Sequence, residues 1–104
     1  MKAIINGIRY DTEKARLIGE VWYGALEDFS HWEAGLYVTP RGRRYFLAGS
    51  GGPMTRWARP AVSGGLIAGE GIIPLTREEA LEWAEKNLSA AEIEAEFGDM
   101  LEDA

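Results

Sequence analysis

Acidic residues recur at helical spacing near the end of the chain: Glu78, Glu82 and Glu85, then Glu92 and Glu96, with Asp99 following. Residues three or four apart share one side of a helix, so each set forms an acidic stripe. Like charges so close weaken a helix modestly, and their density calls for an explanation. One explanation is a solvated face that keeps a small protein soluble. The other is imitation of a phosphate backbone, in which the row of carboxylates occupies a cationic groove that another protein reserves for nucleic acid.

A second constellation is basic. Arg41, Arg43 and Arg44 surround a Pro40–Gly42 turn, and Arg56 and Arg59 follow the segment Gly49-Ser50-Gly51-Gly52-Pro53. A strand, then glycine-rich backbone, then a turn bearing arginine is how anion nests are built. Tyr37, Tyr45 and Trp57 interleave with these arginines, and aromatics beside cations can stack bases. Arg41, Arg43, Arg44, Gly51, Gly52 and Arg56 therefore form an alternative anion-binding set. The segment has neither the ending of a P-loop nor the G-x-G-x-x-G spacing, and glycine more often serves an unusual φ at a strand exit. The same arginines can instead pair with the acidic helices of their own chain or of a second copy in a homodimer. At a net charge of −6, protein pairing is favoured over direct nucleic-acid binding.

Other chemistry has few residues to work with. His31 is the one histidine, no G-x-S-x-G elbow exists, and there is no cysteine. Those absences remove a nucleophile elbow, disulfides and thiolate zinc sites. A metal site would have to be all-oxygen, and the acids fit no EF-hand spacing. Of the carboxylates outside the helical stripes, Glu33 and Glu70 lie beside aromatic or glycine-rich strands and are the ones burial could tune for acid–base work. The expectation is a protein without catalytic residues, metal or cofactor.

The charge is divided along the chain. Residues 1–69 hold nine Lys/Arg against six Asp/Glu, and residues 70–104 hold two against eleven. A positive body thus carries a strongly negative helical surface, which favours a basic partner. At 104 residues with eleven aromatics, the chain is expected to form one domain, 1–104, with a core that needs no staples. No apolar run reaches the length of a signal peptide or a membrane span, so a cytoplasmic location away from membranes is expected.

The elements that must position these residues follow from periodicity and turn chemistry. Asn6-Gly7 between Ala3-Ile4-Ile5 and Ile8-Arg9-Tyr10 predicts a type I′ hairpin. One helical turn is expected at Asp11–Ala15, then a strand over Arg16–Tyr23, with a short helix over Thr12–Ile18 as the alternative. Trp32, Ala34, Leu36 and Val38 alternate with Glu33, Gly35, Tyr37 and Thr39, the period of a strand with one buried face. Pro40 and Gly42 predict a bulged turn into a strand at Arg43–Ala48, which the Gly49–Pro53 segment should end. Met54–Ala58 reads as a short helical turn and Arg59–Gly65 as irregular. A last strand or two span Leu66–Pro74. Thr76 with Glu79, and Ser89 with Glu92, are capping boxes that open helices over Arg77–Leu88 and from Ala90 to about Phe97. Gly98 should stop the second helix, with Asp99–Ala104 frayed. The fold class is α+β: an antiparallel β-meander of four to six strands followed by two short C-terminal helices.

Three stretches carry a resemblance: KAIINGIRYDTEKA, LYVTPRGRRYFLAGSGGPMTRWA and GIIPLTREEALEWAEKNL, together more than half of the chain. They resemble a group of small proteins of bacterial mobile elements and phages that share an ING-x-RYDT hairpin, a Y-x-T-x-x-G-x-x-FL hairpin, a G-x-GG loop and an IIPL-x-x-EEA-x-EW helix. The resemblance brings no catalytic residue. It implies a mobile-element context and, by analogy with proteins of this size and acidity, an anti-CRISPR-like inhibitor. Its acidic face, Glu78, Glu82, Glu85, Glu92 and Glu96, would bind a CRISPR effector and block its nucleic-acid site.

Overall fold

The computed structural model describes residues 1–25 and 27–104. Its centre is a four-stranded antiparallel sheet of β3 (Arg16–Tyr23), β4 (Trp32–Val38), β5 (Tyr45–Gly51) and β8 (Gly69–Leu75), in the order β3-β4-β5-β8. A hairpin, β1 (Lys2–Ile5) with β2 (Ile8–Asp11), precedes it, and a two-residue pair, β6 (Arg59–Pro60) with β7 (Leu66–Ile67), is inserted before β8. Helices α1 (Arg77–Asn87) and α2 (Ala90–Phe97) close the chain, followed by a 3-10 turn at Gly98–Met100. The fold is α+β, with antiparallel strands and two C-terminal helices.

Alternation along the central strands sends side chains to two separate cores. Leu36 opposes Leu47 and Val38 opposes Tyr45. These residues, with Ala34, pack against Ala80 and Ala84 of α1 and Phe97 of α2. On the other face Phe46 and Ala48 pack with Tyr10 of β2. There the ring of Tyr37 stacks on Phe46 at 5.3 Å, and Tyr10 meets Phe46 edge-on at 5.4 Å. The sheet is therefore a middle layer between the helices and the N-terminal hairpin.

The turns follow their residue chemistry. Asn6 and Gly7 both take positive φ, 51° and 76°, as a type I′ turn requires. Gly42 and Arg43 do so at the β4–β5 hairpin, at 72° and 46°. Both capping boxes are complete, with the Thr76 and Ser89 hydroxyls accepting from the amides of Glu79 and Glu92 and the two glutamates reaching back.

Arg59–Pro60 is a strand where an irregular segment was expected, and Asp99 and Met100 lie in a 3-10 turn where fraying was expected; two further expectations are corrected. After β2 ends at Asp11, Thr12–Lys14 form a turn rather than a helical one: the Asp11 carboxylate accepts from the Glu13 amide, an Asx-type contact that offers the backbone an alternative to a helix. The Gly49–Pro53 segment does not end β5 at Ala48, since the strand runs on to Gly51. Gly49 lies directly under the indole of Trp57 and Gly51 against the Thr55 hydroxyl, so a Cβ at either would collide. These glycines serve close packing inside a strand rather than breaking it.

Candidate functional site: the acidic helices and the arginines that meet them

The structure divides the acidic residues into two groups. Glu78, Glu82 and Glu85 are exposed on α1. Among the described residues, none of them has a cationic nitrogen within 4.0 Å. Asp99 is exposed as well, but Arg77 grips it through two hydrogen bonds of 2.7 and 2.8 Å. That forked contact holds the Asp99 carboxyl below the usual carboxylate range.

Glu96 does not belong to the exposed face. Its side chain is only 4% exposed, and it sits at the meeting point of α2 and the sheet. Oε1 accepts from Nη2 of Arg16 on β3. Oε2 accepts from Nη2 of Arg43 at 3.1 Å and from the Tyr45 hydroxyl at 2.7 Å. Arg77 donates to the Glu96 main-chain carbonyl at 3.2 Å. Burial alone would push the Glu96 carboxyl up. The hydrogen bonds from Tyr45 and Arg16 and the charges of Arg16 and Arg43 outweigh it and hold the pKa below the ordinary value. The physical reason for its burial lies in the helix itself. Ile93, Glu96, Phe97 and Met100 stand at i, i+3, i+4 and i+7, so Glu96 shares the stripe that faces the core.

Glu92 is intermediate. It is half-buried over Gly19 and committed to the Ser89 cap. The Ser89 backbone bond first, then its hydroxyl, lowers the Glu92 pKa. Of the five glutamates expected to bind a partner, three remain free for one: Glu78, Glu82 and Glu85.

The alternative anion-binding set is not brought together. Gly51 and Gly52 take no positive φ, and the loop amides point inward. Gly52 N–H donates to the His31 carbonyl at 2.8 Å and Met54 N–H to the Phe29 carbonyl at 2.9 Å. A nest needs those amides free. Arg43 is turned to Glu96. Arg41 and Arg44 stand at one end of β5 and Arg56 beyond the other, a strand length of roughly 20 Å apart. Arg56 lies over the Trp57 ring, 5.6 Å from its centroid.

The remaining candidates are structural or solvated. His31 closes the loop before β4, its Nδ1 3.0 Å from the Gly24 carbonyl. Glu33 and Glu70 are both exposed on the strands that carry them. Among the described residues, no group of three His, Asp or Glu side chains could hold a metal ion, and no helix is long and apolar enough to cross a membrane.

Sequence reasoning named Glu96 and Arg43, allowed their pairing within the chain and set Tyr45 beside the arginines, but it did not single out Arg16 or Arg77. The signal for Glu96 was its register with Ile93 and Phe97. An acid on an apolar stripe must find cations or hydrogen-bond donors where that stripe docks. Comparison with family models, with curated proteins and with solved structures returns no match.

Proposed function

We propose that this chain is a protein-binding inhibitor without catalytic activity. It engages the basic nucleic-acid site of a partner through the exposed edge of α1, with Glu78, Glu82 and Glu85 providing the charge. One observation carries this reading: the fold neutralises Glu96 and Asp99 with arginines, and among the described residues no cation pairs with the α1 stripe. A row of carboxylates one to two helical turns apart, on a rigid capped helix, matches a polyanion in charge and costs little ordering on binding. The phage and mobile-element resemblance makes a CRISPR effector the first partner to test.

The test measures target-DNA binding by a panel of purified CRISPR effectors as this protein is added. The expected result is loss of DNA binding by one effector, weakening with added salt. The variant Glu78→Lys/Glu82→Lys/Glu85→Lys should leave DNA binding intact. An inhibition that the triple variant preserves would contradict the acidic edge, and an unaffected panel would remove the CRISPR partner.

A further inference from the structure

A cleft of about 530 Å³ opens where the end of β3, the start of β4, the turn after β5 and the C-terminal end of α1 converge. Its walls include the indoles of Trp32, Trp57 and Trp83 and the ring of Tyr23, with Ala34 also lining it. Three of the four tryptophans of the chain thus line one cleft. Tyr23 stacks against Trp32 at 6.5 Å and 22°, yet remains 60% exposed. Trp57 is 6% exposed, and its Nε1 has no hydrogen-bond partner among the described residues.

The charge of the cleft runs against that of the molecule. Among the described residues Arg56 and Lys86 are its charged residues and no carboxylate lines it, although the chain as a whole carries −6. Arg56 already lies over the Trp57 face, which sets a guanidinium beside an aromatic surface. The volume falls within the ~300–1,000 Å³ of ordinary small-ligand sites. Aromatic walls favour a flat ring by stacking, and the two cations favour a negative group on it.

We infer that this cleft binds a small planar aromatic anion, a ring system bearing a carboxylate, sulfonate or phosphate. The ring packs against Trp32 and Trp83, with the buried Trp57 covered by Arg56, and Arg56 and Lys86 meet the negative group. The site is separate from the Glu78–Glu82–Glu85 edge and does not depend on it.

The experiment compares two fluorescent probes, 8-anilinonaphthalene-1-sulfonate and its neutral analogue N-phenyl-1-naphthylamine, on the full chain. The expected result is saturable binding of the sulfonate at one site per chain, with quenching of tryptophan emission and weaker binding of the neutral probe. The variant Arg56→Glu/Lys86→Glu changes exposed side chains and should fold normally by circular dichroism. It should bind the sulfonate roughly tenfold or more weakly, a charge-assisted contact being lost, while its affinity for the neutral probe is unchanged. Inorganic phosphate at matched concentration should not displace the dye. Equal affinity for both probes, an unaffected charge-reversal variant, displacement by phosphate alone, or no saturable binding would each overturn the inference.

Discussion

At the scale of single residues, Glu96 shows how one position changes the meaning of a charge pattern. Its carboxylate is the acceptor for the hydroxyl of Tyr45, a residue only 2% exposed, and for two arginines that remain largely in water. Those arginines are solvated once released, so most of the cost of losing Glu96 falls on Tyr45. Glu96→Ala should destabilise the protein by about 2 kcal/mol, the usual cost of removing a charged partner from a buried donor. Glu96→Gln, which keeps one acceptor, should cost less. Urea midpoints for the two variants check both. The pH dependence has a definite sign. A carboxyl whose pKa is lowered by folding contributes stability that is present above its unfolded value, about 4.5, and is lost as pH falls through the lowered folded value. Stability should therefore decline below about pH 4.5, and Glu96→Gln should flatten part of that decline in urea unfolding measured across acid pH. The stripe Ile93, Glu96, Phe97 was legible in the sequence, but its consequence was not. Arg16 and Arg43 lie 80 and 53 residues from Glu96, and no local pattern shows which distant strand end a helix will meet.

At the scale of elements, the capped helices and the alternating strands were the most legible parts, because their rules are local. Thr76 and Ser89 announce their helices through the hydrogen bonds they make. Thr76→Ala should lower stability by about 1 kcal/mol, read as a shift in thermal or urea midpoint. Glycine was the ambiguous residue. The run from Gly49 to Gly52 reads as a strand exit by composition, whereas β5 continues because the Trp57 ring needs the space that a side chain at Gly49 would fill. That contact joins residues eight apart across a turn, beyond the reach of strand periodicity. Gly49→Ala should cost about 1–3 kcal/mol, as overpacking of a tight site does, and should disturb the Trp57 near-UV circular dichroism signal. A Gly52→Ala substitution would meet the Phe29 carbonyl and should loosen the turn that the same segment forms.

At the scale of the whole molecule, the charge division along the sequence becomes a division in space with an internal seam. Arginines of the first part reach across to Glu96, and Arg77 of α1 itself takes Asp99. Part of the acidity is thereby absorbed into the fold, and among the described residues the α1 edge keeps carboxylates without an ion pair. Sequence alone could count the acids and set Glu96 in register with Ile93 and Phe97, but it could not show which arginines would meet Glu96 and Asp99. The division predicts opposite effects of charge reversal. Glu78→Lys/Glu82→Lys/Glu85→Lys should leave the urea midpoint close to that of the parent protein, because the residues are exposed and make no ion pair among the described residues. Glu96→Lys should unfold or strongly destabilise the chain, since it places a third cation beside Arg16 and Arg43. The most direct measurement of the central claim is capture from a nuclease-treated lysate of a host carrying CRISPR systems, run in parallel with the parent protein, the triple α1 reversal and an Arg41→Glu/Arg44→Glu control. The account predicts one specific protein retained by the parent and by the arginine control, released at high salt and absent from the triple reversal. Retention of the same protein by the triple reversal would contradict it.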